Sequence, residues 1–154
     1  MTTPETNPRD TVLLTHSAQN HCFGCGVANS VGLHLKFAVK PDHTVLADPS
    51  ISSDYEGPPG CLHGGIIATL LDEAMSKANR ARGVTAMTRH MQVDYLHPVP
   101  SGAPIHIEAR VSRSEGRKNW TEATIQSPEG KILARASGLF IRVNPHSLTA
   151  ADPA

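Results

Sequence analysis

The segment His63-Gly64-Gly65 and the carboxylate of Asp72 are the residues of this chain best suited to chemistry on a carbonyl group. The two glycines open a stretch of helical periodicity, and no Ser, Thr, Asp or Asn stands directly before them to cap the first turn. We therefore expect free backbone N–H groups there, which the helix dipole makes suitable for a developing oxyanion. The same glycines also fit a tight turn or close packing against a strand, and both interpretations stay open.

Asp72 lies too far along the predicted helix to act on the same carbonyl as the glycines of its own chain. Gly65 and Asp72 share one side of the helix but are separated by about 10 Å along its axis at 1.5 Å per residue. An oxyanion donor and an attacking group must each lie near 3 Å from the reacting atoms. A solvated surface Asp is the common alternative. If both residues act together, two antiparallel helices across a two-fold axis must form the site, in a homodimer or a dimer of dimers.

Hydrophobic periodicity predicts the elements that position these residues. A helix is expected from residue 64 to about residue 82, and its buried stripe is Ile67, Leu70, Leu71, Ala74, Met75 and Ala78. Strands are expected over residues 33–39, 45–47, 87–95 and, roughly, 104–112, 120–126 and 131–143. Strict alternation in residues 87–95 places Thr88 on the face opposite to Met87, Arg89, Met91, Val93 and Tyr95. These elements predict an α+β fold in which an antiparallel sheet wraps around one long helix.

Length and composition narrow the class of protein. The 154 residues, with 39% apolar residues, fit one domain at 13–143 between flexible termini at 1–12 and 144–154. Three cysteines, an odd number, without a secretory leader at the start favour a reducing, cytoplasmic location. No apolar run approaches the ~18 residues of a membrane span. Lys plus Arg and Asp plus Glu are both 14, so a nucleic-acid partner is not expected.

The net charge of zero conceals a local imbalance. Residues 1–76 carry 3 basic and 8 acidic side chains, residues 77–118 carry 8 and 3, and residues 119–154 carry 3 of each. The middle segment therefore has an excess of five positive charges, which suits a small anionic ligand better than a polyanion.

Several of these motifs together resemble one family. They are His63-Gly64-Gly65 with Asp72, the long strands that follow, Tyr95-Leu96-His97-Pro98-Val99-Pro100-Ser101-Gly102, and the upstream Cys22-Phe23-Gly24-Cys25-Gly26. In this combination and order the chain is similar, over about residues 20–143, to the hotdog-fold acyl-CoA thioesterases of the phenylacetate-degradation (PaaI-like) type. The resemblance implies a hotdog fold with a sheet of five to six strands, and hydrolysis of an acyl-CoA thioester to free acid and CoA without a cofactor.

The resemblance also implies roles for single residues. The N–H of Gly65 polarises the thioester carbonyl, and Asp72 of the other subunit attacks that carbon or activates water; the two roles for Asp72 stay open. His63 supports the thioester, Gly64 belongs to the substrate site, and Thr88 orients substrate or water. Relatives carry an Asn six residues before the histidine, where this chain has Gly57, so that contact is absent or comes from Asp54, Tyr55 or Glu56.

For the CoA moiety, the resemblance points to the basic turn that contains Gly116, Arg117 and Lys118. Flexible Lys and planar Arg at a surface turn bind phosphate groups with little desolvation. Arg89 is a further candidate, with Arg80, Arg82 and Arg113 in the same basic segment. For each of these charges alone, an ordinary solvated side chain is the alternative.

Other functions are weighed against this one. A non-catalytic module that binds acyl-CoA or lipid in the same cleft is the main alternative, and a hotdog hydratase is disfavoured because Asp72 and His63 lack the spacing it needs. Cys22 and Cys25 have zinc-ligand spacing, but Cys61 and His63 make no second pair, so no metal is expected. No phosphate-binding, dinucleotide or serine-hydrolase motif occurs. The acyl group is not specified by the residues.

Overall fold

The computed structural model describes residues 10–148, which form seven β-strands and one long helix. The strands are β1 (Val12–Leu13), β2 (Ala38–Val39), β3 (Val45–Ala47), β4 (Ala86–Tyr95), β5 (His106–Glu115), β6 (Lys118–Gln126) and β7 (Ile132–Arg142). The helix, α1, spans Gly64–Ala81 between β3 and β4. Two short 3-10 helices cover Ser53–Tyr55 and Pro145–Leu148. The termini predicted to be flexible are residues 1–12 and 144–154. Most of these residues lie outside the described part of the chain.

All seven strands join one antiparallel sheet in the order β1-β2-β3-β5-β6-β7-β4. Strand β4, which directly follows α1 in the chain, therefore lies at one edge, next to β7. The predicted α+β arrangement of one long helix against an antiparallel sheet is confirmed. Within residues 10–148, no helix is both long enough and apolar enough for a bilayer crossing.

The apolar stripe of α1 forms the centre of the core. All six predicted stripe residues are buried, and five of them, from Leu70 to Ala78, have no exposed surface. They pack on the inner face of the sheet, which is supplied mainly by Ile107, Ala109, Ala123, Ile125, Ala136 and Phe140. Each fully buried Leu or Ile contributes roughly 1.5–3 kcal/mol to folding, so this contact fixes α1 on the sheet.

The segment at residues 33–39 differs from its predicted strand. Leu35 and Phe37 are buried, as the alternation predicts, but only Ala38 and Val39 pair with neighbouring strands. The backbone before them is bonded elsewhere, since the Leu35 N–H donates to the Gly24 carbonyl at 2.9 Å. The sheet gains a strand at its other end, where Val12–Leu13 pairs with β2, so it has seven strands instead of five to six.

A buried amide pair fastens the end of α1 to the sheet. The Asn119 side chain on β6 donates from Nδ2 to Oδ1 of Asn79 at 2.9 Å, and Asn79 Nδ2 donates to the Met75 carbonyl at 3.0 Å. Asn79 is 1% exposed and Asn119 5%. Because both amides are removed from water, each depends on the other for its hydrogen bonds.

We predict that Asn79→Ala lowers the free energy of unfolding by about 1–3 kcal/mol, because the Asn119 amide loses its acceptor in the core. The double variant Asn79→Ala, Asn119→Ala should lose less than the sum of the two single variants, since it leaves no unpaired amide. Urea unfolding of the four proteins measures this coupling. Strictly additive losses would show that the pair does not hold α1 on β6.

Candidate active site

The helix begins with a side-chain cap that the sequence analysis did not anticipate. His63 is the N-cap of α1, and its Nδ1 accepts a hydrogen bond from the Gly65 N–H at 2.9 Å. The His63 carbonyl accepts from the N–H groups of Ile66 and Ile67. The expectation of an uncapped first turn is therefore wrong, because a His side chain performs the capping normally done by Ser, Thr, Asp or Asn. The Gly65 N–H, predicted to polarise the substrate carbonyl, is already occupied.

The amide of Gly64 is placed differently. Among residues 10–148, no acceptor bonds the Gly64 N–H, while the Gly64 carbonyl accepts from the Tyr95 hydroxyl at 3.0 Å. A Cβ on Gly64 would lie 3.7 Å from the Tyr95 ring, and a Cβ on Gly65 would lie 3.1 Å from His63 Nδ1. The free N–H at the positive end of the helix dipole is thus that of the first glycine.

Asp72 and Thr88 are in direct contact. The Thr88 hydroxyl on β4 donates to Oδ1 of Asp72 on α1 at 2.6 Å. Asp72 is half-buried at the border of the helix's apolar stripe, and its Oδ2 has no hydrogen-bond partner in the described part of the chain. Two of the predicted site residues are therefore in contact, with one carboxylate oxygen fixed and the other open.

A β-bulge at Arg89 turns Thr88 toward Asp72. The register pairs Thr88 with Phe140 and Met91 with Gly138, and it shifts by one residue in between. Paired residues point to the same face of a sheet, and Phe140 and Gly138 are both buried on the helix side. Thr88 and Met91 therefore share the inner face. The prediction that they lie on opposite faces is wrong, because the extra residue reverses the alternation.

Asp72 and the helix start form two separate clusters within one chain. Gly64 and Asp72 are eight residues apart on a straight helix, which is about 12 Å along its axis. Thr88, which contacts Asp72, lies near the start of β4, and Tyr95, which contacts Gly64, lies at its end. The two clusters are therefore separated along the strand as well as along the helix. The predicted separation between the carboxylate and the amide donor thus persists in the folded chain.

Position 57, which is Gly in this chain, lies directly against His63. A Cβ on Gly57 would come within 3.3 Å of the His63 Cα, so a larger side chain requires the loop to shift. Two of the residues predicted to supply the contact of the missing Asn have other partners. The Ser101 hydroxyl donates to Glu56 Oε1 at 2.5 Å, and the Tyr55 hydroxyl donates to the Val31 carbonyl. Asp54 is exposed.

The basic turn lies at the same end of the sheet as Asp72 and Thr88. It connects β5 to β6 through Gly116, whose φ of +58° suits a two-residue hairpin turn, and Arg117. Arg117 donates to the Arg142 carbonyl from Nε and Nη2 at 3.3 Å. Both arginines line a surface hollow of about 470 Å³, and Arg142 was missed by the sequence analysis because it lies 25 residues away in sequence. Lys118 is exposed beside them.

The other predicted basic residues differ in their surroundings. Arg89 is exposed at the bulge, near this end of the sheet. The Arg113 guanidinium carbon lies 3.7 Å from the centre of the Trp120 ring. The Nη1 atom of Arg80 is hydrogen-bonded to the His16 ring. Another hollow, of about 510 Å³, lies on the outer face of the sheet and is lined by ion-paired residues such as Arg110 and Glu122, far from Asp72.

Cys61 and His63 do not join the upstream cysteines. In the described residues, the one group of three possible metal ligands is Cys22, Cys25 and Glu73, with ligand atoms within 4.8 Å of one another. Burial raises the pKa of the Cys25 thiol to about 11, and the hydrogen bond and charge of Glu73 add to the shift. Burial alone would lower the pKa of Lys77, but the Glu73 carboxylate at 2.7 Å outweighs it and the pKa is raised.

Comparisons with known proteins agree with this architecture. The Thioesterase superfamily model matches residues 59–134, which include His63, both glycines, Asp72 and Thr88. Acyl-coenzyme A thioesterase THEM4 of Xenopus laevis is 38% identical over 91 residues, 58% of this chain and 41% of that protein. This chain therefore spans about two fifths of the length of that relative.

Solved structures share the fold. A crystal structure of a thioesterase superfamily protein has a TM-score of 0.76 at 29% identity, covering 79% of this chain and 60% of its own. The Escherichia coli PaaI protein from the phenylacetic acid degradation operon has a TM-score of 0.67 at 19% identity, covering 73% and 81%. The fold and these likenesses agree: the chain has a hotdog fold, and its residues 59–134 match the thioesterase superfamily.

Proposed function

We propose that the protein hydrolyses an acyl-CoA thioester to a free acid and CoA, using Asp72 as its catalytic carboxylate. The observation that carries this proposal is the 2.6 Å hydrogen bond from Thr88 to Asp72 Oδ1, which fixes the carboxylate and leaves Oδ2 available. The name of the THEM4 relative, an acyl-coenzyme A thioesterase, supports the substrate class. A thiolate is a fair leaving group, so such a site needs little acid assistance.

Two routes are compatible with this placement of Asp72. In one, Oδ2 removes a proton from a water molecule that attacks the thioester carbon. In the other, Oδ2 attacks the carbon itself and water then hydrolyses the mixed anhydride. In both, thiolate departs. In the first route the acid carries an oxygen from water; in the second, water attacks the Asp72 carboxyl carbon of the anhydride, so the acid carries the former Oδ2 oxygen and Asp72 keeps an oxygen from water. Single turnover in heavy-oxygen water separates them, because only the second route labels the Asp72 side chain.

The carbonyl-polarising donor in this proposal is the Gly64 N–H. It is the helix-start amide without an acceptor, whereas the Gly65 N–H is held by His63 Nδ1. His63 thereby acquires a positioning role, since it fixes the first turn that presents Gly64. The carbonyl oxygen of the substrate completes the hydrogen bonding of this turn as its negative charge develops.

Each site contains residues of two protomers in this proposal, which requires a homodimer or a dimer of dimers. The 12 Å estimate between Gly64 and Asp72 is too long for one thioester. The ten-residue strand β4 lies at the sheet edge and carries the exposed apolar side chain Met87, with Leu96 directly after the strand. An unpaired edge of this length is suited to pairing with its own copy, which would bring the two α1 helices together.

The CoA phosphates would bind Arg117, Arg142 and Lys118 at the β5–β6 turn. The hollow beside the two arginines lies at the surface, where a phosphate group can enter it. Planar guanidinium groups bind phosphate in a bidentate manner. Arg89, on the neighbouring edge strand, is a further contact in this proposal. Hydrolysis itself needs no cofactor. We also propose a cytoplasmic location, since Cys22, Cys25 and Cys61 are free thiols.

We predict that Asp72→Asn lowers kcat roughly a hundred- to ten-thousandfold, because the amide neither accepts a proton nor attacks the carbon. The side chain keeps its size and its acceptor for Thr88, so the oligomer should stay intact by light scattering. The measurement is release of free thiol from short, medium, long and aromatic acyl-CoAs. Tight binding of acyl-CoA with no thiol release by the unmodified protein would instead favour the binding module.

We predict that Gly64→Pro lowers kcat roughly a hundred- to thousandfold, because it deletes the one donor that faces the carbonyl. Proline is well tolerated at the first helical position, and His63 before it already has the extended backbone that proline requires, with φ −60° and ψ 141°. Gly64→Ala is the matched control, since it keeps the N–H and meets Tyr95 only at contact distance.

Co-expression of Gly64→Pro and Asp72→Asn chains under two affinity tags tests the shared site. A purified mixed dimer has one site with both residues intact, so it should recover about half of the wild-type activity. A mixed dimer as inactive as either parent would show that each site belongs to one protomer.

We predict that Arg117→Ala raises KM for acyl-CoA by about tenfold through the loss of a charge-assisted phosphate contact. KM for the corresponding acyl-pantetheine thioester, which lacks the nucleotide phosphates, should not change. Arg110→Ala, an exposed arginine on the outer face of the sheet, is the charge-matched control. Equal effects on both thioesters would remove the turn from the CoA site.

A further inference from the structure

The loop at residues 20–26, here called the cysteine loop, contains a cluster that the proposed reaction does not use. It folds back over the middle of α1, with Cys25 4% exposed and Cys22 half-buried. Both thiols face Glu73, and the Cys22 Sγ lies 3.8 and 3.9 Å from the two Glu73 oxygens. Glu73 directly follows Asp72 in the sequence.

We propose that Cys22, Cys25 and Glu73 form a binding site for a thiolate-preferring divalent cation, Zn²⁺. A tetrahedral zinc site with Zn–S of about 2.3 Å and Zn–O of about 2.0–2.2 Å separates its sulfur and oxygen ligands by roughly 3.6 Å. The Cys22 to Glu73 distances are close to this value before any ion is bound. The Cys-x-x-Cys spacing is that of the paired ligands in zinc-binding turns.

The loop is built so that both sulfurs converge on the carboxylate. A Cβ on Gly26 would lie 2.4 Å from the Asn20 carbonyl oxygen, and a Cβ on Gly24 would lie 2.7 Å from the Glu73 carboxylate. A larger residue at Gly26 would move the loop backbone, and one at Gly24 would displace the Glu73 side chain. The Gly26 N–H donates to the Cys22 carbonyl at 2.8 Å and closes the turn between the two cysteines.

The surrounding groups suit a metal with thiolate ligands. Asn20 Nδ2 donates toward Cys25 Sγ at 3.5 Å, and Lys77 Nζ holds Glu73 Oε1 at 2.7 Å. Hydrogen bonds of this kind orient ligating side chains in metal sites. With Zn²⁺ bound, two thiolates and one carboxylate carry three negative charges, which the ion and the Lys77 ammonium balance. A buried cluster without net charge avoids the main desolvation penalty.

Three protein ligands leave a fourth position, which a water molecule fills from the exposed side of Cys22. No metal is expected from the sequence because Cys61 and His63 provide no second pair; in this proposal the third ligand is a helix residue instead. A bound ion would cross-link the cysteine loop to α1, one residue from Asp72. This inference does not rest on the proposed hydrolysis, since metal binding is measured without substrate.

The test is metal binding by the purified full-length protein, stripped of metal and reduced with a phosphine. We expect one Zn²⁺ per chain by elemental analysis after dialysis, and a rise in the melting temperature on adding Zn²⁺. Added Co²⁺ should give the visible bands of a tetrahedral cobalt and thiolate-to-cobalt charge transfer in the near ultraviolet.

Cys22→Ser should abolish the charge-transfer band and reduce zinc content to less than about a tenth of an equivalent, whereas Cys61→Ser, the matched control, should bind as the unmodified protein does. If Cys22→Ser fails to fold, Glu73→Gln combined with Lys77→Gln tests the same site without leaving an unpaired buried charge. No zinc in the unmodified protein, equal loss in Cys61→Ser, or a Cys22–Cys25 disulfide in metal-free protein would overturn the proposal.

Discussion

The burial of α1 against the inner face of the sheet is the contact on which the other features of this protein depend. Five consecutive stripe positions from Leu70 to Ala78 are completely removed from water, and they pack on small, branched and aromatic residues of β5, β6 and β7. This contact sets the rotation of the helix about its axis. It therefore decides that Asp72 lies at the border of the apolar stripe, facing β4, and that Glu73 lies under the cysteine loop.

The two ends of the candidate site are held by different means. At the start of α1, His63 caps the first turn and Tyr95 holds the Gly64 carbonyl, so the Gly64 N–H is presented by side chains from two elements. At the middle of the helix, Thr88 fixes Asp72 through one short hydrogen bond. Because a helix is rigid over this length, the two ends cannot approach each other, which is why the proposed reaction needs a second protomer.

Buried polar groups on α1 have a consistent pattern. Asn79 pairs with Asn119, and Lys77 pairs with Glu73, so each group that the helix removes from water has a partner. Such pairs contribute modestly to stability but strongly disfavour other helix positions, because displacement would leave an unpaired charge or amide in the core. They are suited to keeping Asp72 in register with Thr88.

Sequence periodicity determined the helix, its six buried stripe residues, the long strands and the separation between Asp72 and the glycines, because these follow from repeat lengths of 3.6 and 2 residues. Only the tertiary structure decided three other features. The bulge at Arg89 reverses the alternation and points Thr88 at Asp72. His63 caps the helix, which moves the free amide from Gly65 to Gly64. Glu73 meets Cys22, which is 51 residues away in sequence, and Cys25 beside it. The first depends on one extra residue in a strand, the second on the orientation of one local side chain, and the third on contact between distant segments. None of these leaves a periodic signal in the chain.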